Sequence, residues 1–290
     1  MLRLRRDIPL FPQGKKKALT LSYDDGITQD KRFIEMLNKY QIKCTFNLNP
    51  GLMGDVDWLS QPGIEVSHYK VEKDKIKELY EGHEIAVHTM THPDLPRVPD
   101  GMVAYEIAEC RKELEEIAEK PVTGMAYPFG TYSEAVKAVA KTCGIMYSRT
   151  TKQHFGFDLP EDFLEWHPTI HHTEERLFSL WQEFLEPIDD EHYRAPQLFY
   201  VWGHSYEFDA FSQWEDMEEF LKQASARDEV WYATNVEIYE YVMATKNLRY
   251  SATGDYISNP SAIDVWMMID QKTYHIPSGA TISIDKPEKM

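Results

Sequence analysis

The sequence predicts an α/β protein: a closed or nearly closed (β/α) barrel with a small antiparallel β appendage at its C-terminal end. Three observations point there. Short β-rich runs alternate with helix-like segments from Lys17 to Lys246, the rhythm of βα units around a parallel sheet. Seven or eight strand candidates fall in that span, a number closer to one barrel than to two small domains, and no Gly/Ser linker or internal repeat divides it. After Lys246 the helical period stops, and strand-like alternation punctuated by turn residues takes over. The expected division is therefore 1–246 for the barrel and 247–290 for the appendage.

The elements follow in order. ALTLSY is apolar and β-prone enough for a strand, and a helix is expected over Asp30 to Lys39. CTFNLN, a helix near Asp74 to Tyr80, and EIAVHT continue the alternation. The clearest helix runs from Met102 to Glu119, where Val103, Ile107, Cys110, Leu114 and Ile117 recur at helical spacing opposite a charged face. GMAYPFG, a helix Ser133 to Lys141, IMYSRTT, WHPTIHH and a helix Glu174 to Leu185 come next. QLFYVWGHS, a helix Gln213 to Ala226, VWYATN and a helix Val236 to Lys246 complete the barrel. The β-like tail can extend the cleft, pack under the barrel or mediate self-association, so a homo-oligomer is left open. Its last six residues, DKPEKM, are expected to fray.

Composition narrows the partners. A formal charge of −17 works against attraction to polyphosphates and anionic membranes, so neither nucleic acid nor a membrane is an expected partner. No run approaches the roughly 18 apolar residues of a membrane span. The basic N-terminal stretch has IPLF as its longest apolar run, shorter than a signal-peptide core of about 7 to 15 residues. The expectation is a cytoplasmic protein. Cys44, Cys110 and Cys143 are an odd number without C-x-x-C spacing, which reads as reduced, buried thiols.

Barrel strands deliver functional side chains from their C-terminal ends, so polar residues directly after apolar runs are the place to look for chemistry. Asp24 and Asp25 end LSYDDG, with Gly26 permitting a tight turn. His88 and His92 follow EIAV at i and i+4, a spacing that on a helical turn points both imidazoles the same way. One carboxylate added to that pair makes a two-histidine, one-carboxylate metal site, and the second carboxylate stays free to take a proton. His204, after another apolar run, is a candidate acid. Alone, an H-x-x-x-H pair is more often structural and Asp-Asp-Gly is an ordinary turn; their joint placement at strand ends carries the inference.

Taken in order, LSYDDG, HTMTH, AYPFG and YVWGHSYEF resemble motifs of the polysaccharide deacetylases with a NodB homology domain, carbohydrate esterase family 4, and the match runs from Ala18 to Asn235. The resemblance implies a distorted (β/α) barrel of about seven strands and metal-dependent hydrolysis of an N-acetyl, or sometimes O-acetyl, group on a sugar. By position, Asp24 resembles the catalytic base, and Asp25, His88 and His92 the ligands of a divalent metal, usually zinc. His204 resembles the general acid, and the backbone N–H of Phe129 an oxyanion donor. Substrate contact is expected from Tyr127, Pro128, Phe129, Trp202 and Glu207. One departure stands out: the third motif usually begins with an arginine that orients the base, and here that position is Ala126, which leaves the partner of Asp24 unassigned.

Several other residues have two readings. Tyr132 is a further stacking candidate, and Trp166 is either a pocket wall or core. By alternation, one of His171 and His172 at most faces the barrel interior. Glu207 either orients His204 or contacts substrate, and His83, at the far end of its strand, is expected to be structural. The leading function is deacetylation of an amino sugar, oligosaccharide or polysaccharide. The alternatives are hydrolysis of a small noncarbohydrate amide and a noncatalytic carbohydrate-binding protein on the same barrel.

Overall fold

Strand β1, Lys17–Asp24, is buried along its whole length, as a parallel strand covered on both faces must be. In the computed structural model, which describes residues 7–61, 63–188 and 196–284, it forms the centre of a curled parallel sheet. The other strands are β2 (Thr45–Leu48), β3 (Glu84–Val87), β4 (Gly124–Ala126), β5 (Tyr147–Arg149), β6 (Ile170–His171), β7 (Gln197–Gly203) and β8 (Val230–Tyr232). Their order is β5-β4-β3-β2-β1-β7-β6. β8 pairs with the first half of β1 and β2 with its second half, on one edge. A parallel bridge from Arg149 to Trp166 brings the chain just before β6 against β5, narrowing the gap between the two edges.

The alternation along these strands separates two environments. Leu19, Leu21, Tyr23, Phe46, Leu48, Val87, Met125, Phe199 and Val201 join the large apolar core with the flanking helices. The intervening positions carry polar groups that bond to one another across strands. Glu84 accepts from Thr45 Oγ1 (2.8 Å) and Tyr147 Oη (2.5 Å), and Asn235 bonds Thr20 (2.9 Å) and Tyr200 (2.5 Å). Asn47 bonds Ser22 (2.8 Å). Gly124 is bare because the Tyr147 ring crosses it; a Cβ there would stand 2.0 Å from the tyrosine oxygen. The polar interior forms a hydrogen-bonded column from Glu84 at the N-terminal ends of the strands toward Asp24 at their C-terminal ends.

Helices α1 (Asp30–Lys39), α2 (Asp100–Ala118), α3 (Glu134–Thr142), α4 (Leu177–Leu185), α5 (Trp214–Ala224) and α6 (Asn235–Lys246) cover the sheet. Ser133 caps α3 by accepting from Val136 N–H (3.2 Å), and Thr234 with Glu237 forms a reciprocal capping box on α6. Two local features depart from expectation. The helix near Asp74 to Tyr80 shrinks to a single turn, Ile76–Leu79, after a 3-10 turn, and a hairpin of Trp58–Gln61 and Ile64–Ser67 interrupts the βα alternation before it.

The tail is antiparallel, as expected. Val265–Ile269 pairs with Lys272–Ile276 and also with Asp7–Leu10, so the first described strand of the chain sits with the last ones. Tyr256–Ser258 pairs with Arg249–Tyr250 and Thr281–Ser283. Tyr241 on α6 donates to Leu10 C=O (2.6 Å) and accepts from Trp266 N–H (3.1 Å), fixing tail to barrel. The expected fraying of 285–290 and the basic start before Asp7 lie outside the described residues. All three cysteines are free, and among the described residues no helix is long and apolar enough to cross a membrane.

Candidate active site and metal centre

β1 ends on Asp24, and the chain turns away through Asp25 (φ 81°) and Gly26 (φ 61°), whose glycine is required: a Cβ there would stand 2.7 Å from Met53 Cε. Asp24 is held from two sides. Asn47 Nδ2 donates to its Oδ1 (2.8 Å), and Arg149 Nη2 donates to its Oδ2. Arg149 is fully buried at the end of β5, in direct register with Ala126 on β4, and its guanidinium lies 4.5 Å from the Trp202 ring centroid. The cation missing at position 126 is thus supplied from the adjacent strand. Burial works to raise the Asp24 carboxyl, but Arg149, His88 and His204 together hold it below its ordinary value.

His88 Nδ1 lies 2.8 Å from Ala126 C=O, and a carbonyl can only accept, so Nδ1 carries the proton and Nε2 presents its lone pair. That Nε2 is buried with no hydrogen-bond partner, 3.9 Å from Asp24 Oδ2 and 3.9 Å from Asp25 Oδ1. His92 reaches the same place by a different route from the helical turn expected. Residues 88–92 form a loop, with Thr89 (φ 66°) and His92 (φ 58°) in the left-handed region and His92 N–H donating to Thr89 Oγ1 (3.1 Å). The two rings meet edge-on at 4.7 Å. Burial lowers both imidazoles, His92 to about 4, so each is neutral and able to ligate at neutral pH.

Donor atoms of Asp25, His88 and His92 lie within 4.8 Å of one another. The orphaned His88 nitrogen beside carboxylates and a second neutral imidazole is the donor set a divalent transition metal takes. The segment after the hairpin fixes the carboxylate of that set: His68 Nε2 lies 3.0 Å from Asp25 Oδ2, and Lys70 Nζ donates to the Asp25 carbonyl (2.9 Å). Burial again pushes upward, yet Lys70, the His68 hydrogen bond, His204 and His88 hold Asp25 well below the usual carboxylate range.

Across the site His204 Nε2 lies 3.9 Å from Asp24 Oδ2, and Nδ1 faces Glu207 Oε2 at 3.3 Å. Burial would lower this imidazole, but Glu207 first, then Asp25 and Asp24, push it up to about 9. Glu207 also accepts from His204 N–H (2.9 Å), and its carboxyl sits well below its ordinary value: burial is outweighed by His204 and His171. His171 and His172 do not face opposite ways as alternation predicts. β6 ends at His171, the rings stack at 4.8 Å, and both Nε2 atoms approach Glu207.

Asp24, Asp25, His88, His92, His204, Tyr127, Phe129 and Trp202 line one cavity of about 530 Å³, joined by His68, Lys70 and Tyr206. Phe129 is 61% exposed, with φ 58°. Tyr127 is buried, its hydroxyl donating to Leu164 C=O (3.0 Å) and its ring stacked on Tyr132 at 5.3 Å. Pro128 is buried and does not line the cavity, and Glu207 stands behind His204. Trp166 is core, packed on Tyr147, Phe163 and Tyr200. His83 is structural, as expected, accepting from Cys44 N–H (3.2 Å).

A family model described as polysaccharide deacetylase matches residues 12–148. Over those residues the chain is similar to the polysaccharide deacetylase family. The matched segment contains Asp24, Asp25, His88, His92 and the 127–129 turn, and it stops one residue short of Arg149. A chitooligosaccharide deacetylase of Bradyrhizobium sp. (strain ANU 289) is 24% identical over 152 residues, 48% of this chain and 61% of that protein. A provisionally named polysaccharide deacetylase of Bacillus subtilis (strain 168) is 24% identical over 147 residues, 49% of each chain. The chain thus spans about half the length of the curated relatives it matches. A solved structure from Mycobacterium smegmatis, also provisionally named a polysaccharide deacetylase, has 17% identity and a TM-score of 0.55. It covers 82% of this chain and 94% of its own, and it shows the fold.

Sequence reasoning missed Arg149, Asn47, His68 and Lys70. The first two had a signal, since each is a polar residue inside a strand candidate, IMYSRTT and CTFNLN. His68 and Lys70 follow a hairpin with no distinguishing pattern.

Proposed function

We propose that this chain, similar to polysaccharide deacetylases over residues 12–148, removes an acetyl group from a carbohydrate, an N-acetyl group on an amino sugar, oligosaccharide or polysaccharide in the first instance. Asp25, His88 and His92 would hold a divalent cation, zinc in our reading. When bound, the ion supplies a Lewis acid for the scissile carbonyl and lowers the pKa of a water toward about 7. Asp24, kept ionised by Arg149, accepts the proton of the attacking water. His204, kept protonated by Glu207, donates to the nitrogen as the C–N bond breaks, releasing acetate and the free amine. Trp202 and Phe129 offer ring surface to the sugar.

The observation that carries this reading is a base and an acid whose environments drive their pKa values apart, 3.9 Å from each other, beside a complete donor set. The test is acetate release by zinc-loaded protein from N-acetylated sugars, oligosaccharides and small amides, with Asp24→Asn as control. Release from sugars that disappears in the variant is expected. Turnover of small amides alone would replace the substrate, and sugar binding without release would overturn the catalytic reading.

A further inference from the structure

A second set of donors converges behind His204. Glu207 Oε2 stands 3.2 Å from His171 Nε2, 3.3 Å from His204 Nδ1 and 3.7 Å from His172 Nε2. The donor atoms of His171, His204 and Glu207 lie within 4.8 Å of one another. Ligands of a tetrahedral ion with bonds of about 2.1 Å stand about 3.4 Å apart, close to the two measured separations from Glu207. Both ring nitrogens of His172 are buried without a hydrogen-bond partner, and the buried His204 Nδ1 atom has no partner beyond its ion pair with Glu207. His171 Nδ1 is held 2.7 Å from Thr173 Oγ1, the kind of outward contact that orients a ligating imidazole.

We propose that His171, His204 and Glu207 form a second divalent-cation site, and that its occupation takes His204 out of service as a proton donor. The same ring serves both purposes: Nε2 faces Asp24, while Nδ1 belongs to the second cluster. Coordination through Nδ1 displaces the proton there and leaves a neutral imidazole, so the readily donated proton of an imidazolium is gone. It also occupies the Glu207 charge that favours the protonated ring. A first equivalent of metal at Asp25, His88 and His92 would activate, and a second would inhibit. Binding at the second cluster stands by itself; the inhibition rests on the deacetylase reading.

The experiment counts zinc on the full chain by equilibrium dialysis, locates it by anomalous diffraction at the zinc edge, and follows acetate release as free zinc rises. Wild type should bind two equivalents, His171→Phe one, and His88→Ala should keep the ion at Glu207. In His171→Phe, with activity expressed relative to that variant's own value at one equivalent, the inhibitory zinc concentration should rise by about tenfold or more. His171→Asn replaces the phenylalanine variant if that fails to fold. A single equivalent in wild type, or a second that persists unchanged in His171→Phe, overturns the proposal. Two located ions with no acetate release would remove the deacetylase reading and leave the second site standing.

Discussion

Two side chains of opposite charge, Asp24 and His204, face each other in the cavity, and each has one leading neighbour among the charges that tune it. Arg149 lowers Asp24, and Glu207 raises His204 to about 9 against the burial that would depress it. The groups facing His204 are Glu207, His171 and His172 on one side and Asp24 and Asp25 on the other. In the proposed reaction Asp24 must be deprotonated and His204 protonated, so activity should fall on the acid side with the first and on the alkaline side with the second. Glu207→Gln removes the charge that favours imidazolium, so the alkaline limb of kcat should move to lower pH. Arg149→Gln leaves Asp24 buried without its cation, so the acid limb should move to higher pH, and stability should fall by about 3 to 5 kcal/mol in urea unfolding. A pH profile of both variants checks the assignment; limbs that stay in place would mean that other groups titrate.

At the level of elements, the barrel depends on short strands that carry function on one face and core on the other, and on helix ends that plug the interior. The N-terminus of α6 is the clearest plug. Thr234 and Glu237 cap each other, Asn235 N–H donates to Thr45 Oγ1 (2.9 Å), and Val236 N–H donates to Glu84 Oε2 (2.9 Å). A carboxylate at a helix N-terminus is favoured by the helix dipole as well. Thr234→Ala should lower the free energy of unfolding by about 1 kcal/mol with an unchanged urea slope. No loss would mean that Glu84 and Thr45 satisfy the helix end without the cap. The hairpin Trp58–Ser67 plays the corresponding part at the mouth, since the residues directly after it place His68 and Lys70 on Asp25.

For the molecule as a whole, an ion held, as proposed, by residues from the ends of β1 and β3 would bind the folded chain and have no preformed site in the unfolded one. Zinc at a hundredfold its Kd should add about 2.7 kcal/mol of stability per site, seen as a rise in Tm that a chelator reverses and that His88→Ala reduces. An unchanged Tm would count against the metal centre. The sequence by itself determined the βα order, the antiparallel tail, and the identity and order of Asp24, Asp25, His88, His92 and His204. Those features are written in hydrophobic period, turn residues and spacings of a few positions, all local. It did not reveal what holds them. Arg149 lies 125 residues from Asp24 and meets it only because β4 and β5 pair in one register beside a small Ala126. His171 and His204 share Glu207 only because β6 and β7 are neighbours in the sheet. Strand register and curl bring distant residues together, and no local pattern in the chain encodes that meeting.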